Sequence, residues 1–112
     1  MDKILKYADI LTQLLEDRYK IAHPQSPQVR AEMVIDRANH HYILMYVGWE
    51  KERFSYFSAI HFDIIGEKIW IQQNNTEDAL VDELEAEGVD KSDIVLAFLP
   101  PEMRVHTGFA LA

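Results

Sequence analysis

The sequence predicts an α+β fold: an N-terminal helix, a four-stranded antiparallel meander, an acidic second helix, and a short C-terminal strand with a tail. Three observations carry this. Residues 2–22 repeat apolar side chains at three–four spacing. Four runs between residues 29 and 73 have strand patterning and are separated only by short turns. After them, an acidic helical stretch over 76–87 precedes six consecutive apolar residues, 94–99.

In the first helix, Ile4, Ala8, Leu11, Leu15 and Tyr19 fall on one stripe, with Leu5 and Leu14 beside it. Asp2 suits the N-cap, and His23-Pro24-Gln25-Ser26-Pro27 ends the helix, because proline cannot continue it and restricts the residue before it. Over 29–37, Val29, Ala31, Met33 and Ile35 share one face and Arg30, Glu32 and Asp36 the other, the pattern of an edge or near-edge strand with one wet face. Asn39-His40 makes the turn. Residues 42–49 are apolar on both faces, which predicts a central strand covered, at least in part, on both sides. Glu50–Arg53 is a charged turn. Strict alternation over 54–64 puts Phe54, Tyr56, Ser58, Ile60 and Phe62 on one side and Ser55, Phe57, Ala59, His61 and Asp63 on the other. Gly66-Glu67 turns the chain into 68–73, where Ile69 and Ile71 oppose Lys68, Trp70 and Gln72. Asn74-Asn75 breaks that strand. Thr76 is then a candidate N-cap, with Glu77 and Asp78 in the first turn of a helix over 76–87, and Gly88 fits its C′ position. Residues 90–93 form a helical turn or loop, 94–99 a short buried strand that Pro100-Pro101 ends, and the apolar Phe109-Ala110-Leu111-Ala112 packs on its own domain or on a partner. Two helices cannot cover both faces of the sheet, so one face is left as an oligomer or partner surface.

The 112 residues fit one domain with a core of its own. There is no cysteine, hence no disulfide and no thiolate metal site, which suits a reducing cytoplasm. Charges interleave through the first 20 residues, so that stretch is neither a signal peptide nor a membrane span. The net charge of −8 is concentrated: residues 76–93 carry eight acids and one base. A DNA-binding surface needs clustered Lys and Arg, about 6–10 phosphate contacts' worth. Here Lys51 and Arg53 sit among Glu50 and Glu52, and the acidic helix would repel a duplex. No strong direct nucleic-acid binding is expected.

Few residues invite a catalytic reading. His61 and Asp63, two apart on a strand, face the same way; such a pair can orient an imidazole as base or metal ligand, or can form a structural hydrogen bond. His40 and His41 are adjacent and would diverge in a strand. Asp63, Glu67 and Lys68 look like a nuclease triad only until Glu67 and Lys68 are seen to be neighbours rather than two apart. Neither a phosphate-cradling glycine loop nor a recognisable nucleophile is present. No catalytic, cofactor or metal residue is assigned. Glu83 and Glu87 on the acidic helix are candidates for docking a basic surface, and Arg104, His106, Thr107 and Phe109 in the tail for polar and apolar partner contacts. Trp49 and Trp70 serve as core or as interface anchors.

His61-x-Asp63-Ile64, Lys68-Ile69-Trp70-Ile71-Gln72 and Thr76-Glu77, with Gly48-Trp49 upstream and DIVLAFLPPEMRVHTGFA at 93–110, resemble the XisI family, the fdxN element excision controlling factor proteins. The likeness spans essentially the whole chain and marks His61, Asp63, Trp70, Gln72, Thr76 and Glu77 as signature positions. Gly66-Glu67 and Asn74-Asn75 stand where the family pattern has Asp-Gly turns. The resemblance implies a non-enzymatic accessory protein that controls excision of a DNA element interrupting a nitrogen-fixation gene in heterocyst-forming bacteria. It also implies partners: a nuclease-like XisH companion and the site-specific recombinase that does the strand chemistry. Two alternatives stand beside it: a small hydrolase or metal-dependent enzyme centred on His61 and Asp63, and a structural homo-oligomer that pairs its uncovered sheet face.

Overall fold

The computed structural model describes residues 2–22 and 27–112. Helix α1 spans Lys3–Lys20, and the Asp2 carboxylate accepts the Ile4 backbone N–H at 2.9 Å as its N-cap. The proline-containing turn predicted after it falls mostly on residues 23–26, outside the described residues. Strands β1 (Val29–Asp36), β2 (His41–Glu50), β3 (Arg53–Ile65) and β4 (Lys68–Asn74) form the antiparallel meander in sequence order. β5 (Ile94–Leu96) adds to β4 in parallel, reached through helix α2 (Leu80–Ala86) and a 3₁₀ turn at Lys91–Asp93. A one-turn helix α3 (Pro101–Arg104) begins the tail.

Both α1 and α2 lie on one sheet face. Their apolar stripes, Tyr7, Leu11, Leu14 and Leu15 from α1 and Leu80 and Leu84 from α2, close over Tyr42, Leu44, Ile60, Phe62, Ile64, Ile69 and Ile71. Each side chain so buried contributes about 1.5–3 kcal/mol. Tyr19, placed on the stripe by spacing, and Leu5, placed beside it, are exposed. Tyr7 takes the buried position instead, because its hydroxyl has a partner inside, donating to Asp93. Arg18 ties α1 to the α2 region, bonding Asp78 at 3.0 Å and also Glu83. α2 ends as predicted: Gly88, at φ 94°, donates to the Glu85 carbonyl and Val89 to that of Leu84, a Schellman closure.

Three expectations are corrected. α2 starts at Leu80, not Thr76. The Thr76 hydroxyl accepts the Asp78 N–H at 3.1 Å, while Asn74 bonds Thr76 on one side and the Asp78 carbonyl on the other. These local side-chain bonds hold 74–78 as a loop, so Glu77 and Asp78 lie outside the helix and its first-turn acids are Asp82 and Glu83. The last strand is three residues rather than six, because Leu99 N–H turns back to the Leu96 carbonyl. Pro101 then starts a helix instead of merely ending a strand; its fixed φ and missing N–H suit the first helical turn.

The third correction decides the open face. β3 carries a bulge: Leu44 pairs with Ile60 and Met45 with Ser58, leaving Ala59 unmatched. Alternation therefore changes phase at Ala59. Phe54, Tyr56 and Ser58, predicted opposite to His61 and Asp63, share their face, while Phe57 moves to the helix side against Tyr46, ring centroids 5.5 Å apart. A second bulge leaves Gln72 of β4 unmatched.

Candidate functional site: the open sheet face

Opposite the helices, β1–β3 present Arg30, Glu32, Val34 and Asp36, then Ile43, Met45, Val47 and Trp49, then Phe54, Tyr56 and Ser58. One end is aromatic. Trp49 and Phe54 pair across the β2–β3 hairpin with centroids 5.2 Å apart, and Phe54 stacks on Tyr56 at 6.4 Å. Yet Trp49 is 57% exposed, Phe54 49% and Tyr56 69%. These three form an aromatic ladder in contact mainly with itself and with water.

The other end is polar. The antiparallel pairing sets His41 opposite Asp63, and His61 precedes Asp63 by two on the same strand. Asp63 Oδ1 lies 2.8 Å from His41 Nδ1 and 2.9 Å from His61 Nε2; Gln72 Nε2 donates to Oδ2 at 3.1 Å. An ionised carboxylate only accepts, so both rings present N–H to it. Burial pushes the Asp63 carboxyl up, but the bonds from His41 and His61 outweigh it and hold its pKa below the ordinary value. The same bond raises His41. Alternation from Trp70, the cross-strand partner of Asp63, puts Gln72 on the Asp63 side, and the second bulge leaves it there without a pairing partner. Sequence spacing found the His61–Asp63 pair but missed His41: counting back from the β2–β3 hairpin at Glu50 and Arg53 sets His41 against Phe62, and only the bulge at Ala59 brings it opposite Asp63.

The remaining signature residues are Trp70, which pairs with Asp63 across β3–β4, and the loop residues Thr76 and Glu77 described above. Trp70 is covered by the tail: the Arg104 guanidinium lies 5.5 Å from its ring centroid. Arg104 is buried and donates to three backbone carbonyls, those of Leu99, Leu111 and Ala97, at 3.1–3.2 Å. The Thr107 hydroxyl donates to the Arg104 carbonyl and accepts the Phe109 N–H; Phe109 packs on the core edge with Lys91 above its ring. Ala110 bridges Val95 in parallel. Arg104, Thr107 and Phe109 thus latch the tail over the β4–β5 end of the open face, while His106 stays exposed. Of the apolar C-terminus, Phe109 and Ala110 pack on their own chain while Leu111 stays exposed, and the open face of β1–β3 is left uncovered.

Glu83 and Glu87 line a groove between α1 and α2 together with Asp17 and Arg18. Glu87 is exposed, whereas Glu83 is paired with Arg18. Lys68 and Glu67, weighed as nuclease residues, do not reach Asp63 together: Lys68 Nζ donates to the Ala112 carbonyl at 2.6 Å. No helix among the described residues is long and apolar enough to cross a membrane.

Comparison with solved structures places this arrangement. A XisI-like protein from Anabaena variabilis ATCC 29413 superposes with a TM-score of 0.93 at 34% identity, covering 97% of this chain and 99% of that one. The fdxN element excision controlling factor XisI from the same organism superposes with a TM-score of 0.89 at 28% identity, over 99% of this chain and 100% of that one. No curated protein sequence matches the chain. The family model described as XisI protein matches residues 1–111, and with it the chain belongs to the XisI family.

Proposed function

We propose that this chain is a non-catalytic control factor in DNA element excision that acts by docking on protein, with an XisH-like companion as its direct partner and the recombinase as the enzyme ultimately controlled. The observation that carries this reading is the uncovered β1–β3 face with its exposed Trp49–Phe54–Tyr56 ladder. Exposed aromatics that bury large area at low entropic cost are the residues that anchor protein interfaces. The acidic groove at Asp17, Glu83 and Glu87 supports the same reading, since it would steer a basic protein surface and repel DNA. At the polar end, the groups bonded to Asp63 are two imidazoles and an amide, with no nucleophile among them.

Co-expression with the XisH-like companion, followed by light scattering on the purified species, tests this. A hetero-complex of defined mass is the expected result. A chain that purifies without the companion, as a monomer or as a homodimer, would overturn it; the homodimer would assign the open face to a second copy.

A further inference from the structure

We propose that His41, His61 and Asp63 form a binding site for a divalent transition metal ion of the zinc type, independent of the docking function. The three residues offer two imidazole nitrogens and one carboxylate oxygen, all within 4.8 Å of one another. Zinc binds histidine nitrogen at about 2.0–2.1 Å and carboxylate oxygen at about 2.0–2.2 Å, so neighbouring ligands around one ion sit about 3 Å apart. The His41 and His61 nitrogens already stand 2.8 and 2.9 Å from Asp63 Oδ1. An ion bound among them would take the place of the two ring protons pointing at that oxygen, each proton moving to the other nitrogen of its ring or, from an imidazolium, to solvent.

Two further features favour a ligand set over a plain hydrogen-bond cluster. The three residues stand on adjacent β-strands that pair in unbroken register from His41–Asp63 to Leu44–Ile60, so the backbone holds the donors in place. Gln72 grips the second carboxylate oxygen at 3.1 Å, the outer contact that fixes a ligating carboxylate and tunes its affinity. Two histidines and a carboxylate on one side of an ion leave its other positions open, and the site faces solvent rather than the core: the His41 side chain is half exposed. The donor set contains nitrogen as well as oxygen, which selects zinc-like ions over magnesium and calcium.

Equilibrium dialysis of the full chain against zinc chloride alone, after chelator treatment, tests the site. Saturable binding of one equivalent is expected. His41→Ala, on the exposed side of the cluster, and Asp63→Asn, which keeps the shape of the side chain, should each weaken it at least tenfold. Gln72→Ala should weaken it by about tenfold through the outer contact. His106→Ala in the tail should leave it unchanged. Absence of saturable binding would overturn the proposal. So would binding that His41→Ala and Asp63→Asn leave intact, which would mean adventitious zinc elsewhere on the surface. Cobalt chloride gives an independent readout: visible absorption bands on binding to the wild type and none with His41→Ala, where equal spectra for the two would again count against the site.

Discussion

Replacing Arg104 by alanine is expected to loosen the whole C-terminal end of the protein. The guanidinium makes three hydrogen bonds to the carbonyls of Ala97, Leu99 and Leu111, and lies over the Trp70 ring. A hydrogen bond from a charged donor contributes about 1.5–3 kcal/mol, and a partly desolvated cation–π contact about 1–2 kcal/mol. The terms are not additive, because a loosened tail lets water reach the freed carbonyls. A loss of about 3–5 kcal/mol is therefore expected, toward the upper end of single substitutions. With a urea m-value of about 2 kcal/mol/M for a chain of this size, the unfolding midpoint should fall by about 1.5–2.5 M. Tryptophan fluorescence is the natural probe, since Trp70 lies under the lost side chain. Arg104→Lys keeps the charge but cannot fork to three carbonyls, so it should recover less than half of the loss. A midpoint for Arg104→Ala within about 0.3 M of the wild type would refute the latch. It would leave Arg104 free to serve a partner instead.

Other expectations are read the same way. Gly48→Ala should cost at least about 2–3 kcal/mol by denaturation, because a Cβ there would meet the Gln28 carbonyl oxygen at 2.0 Å and φ is 146°; near-wild-type stability would show that β1 can shift away. The His41–Asp63 bond gives stability a pH dependence. His41 has a folded pKa above its ordinary 6.5, so its contribution is present below 6.5 and is lost as pH rises through the folded value. Asp63 has a folded pKa below 3.8, so its contribution holds above 3.8 and is lost as pH falls through the folded value. Melting temperatures between about pH 5.5 and pH 8.5 should decline more for the wild type than for Asp63→Asn, and parallel curves would deny the bond that role. Fluorescence anisotropy with duplex DNA at low salt should show no sub-micromolar, salt-steep binding, given the eight acids within 76–93.

Most of the fold was legible because its strongest determinants are local. The stripe on α1, the Asp2 cap, the Gly66 and Gly88 turns and the period-two runs each act within a few residues, and the elements stand where they point. What was not legible depends on contacts across the chain. A bulge is a one-residue mismatch between two strands, so nothing in 54–64 alone marks Ala59 as unmatched. That mismatch carries Phe54 and Tyr56 onto the open face and makes the aromatic ladder. The candidate site divides the same way. His61 and Asp63 are two apart in sequence, so a strand turns them to one face; His41 is 22 residues from Asp63 and joins only through strand register. Thr76 misled because an N-cap and a side-chain turn use the same hydroxyl, and Asn74 decides between them. The tail residues looked available to a partner because Arg104 shows its satisfied donors only once the carbonyls of 97, 99 and 111 are placed around it.

The most direct test of the account is the affinity of the XisH-like companion for Tyr56→Ser against the wild type, measured by isothermal titration with both folded proteins. Tyr56 is 69% exposed and its loss should leave the melting temperature unchanged. The account predicts a loss of at least about 2 kcal/mol in binding, roughly thirtyfold, as for an aromatic anchor at an interface centre. Equal affinities would contradict it and move the docking surface off the open sheet face.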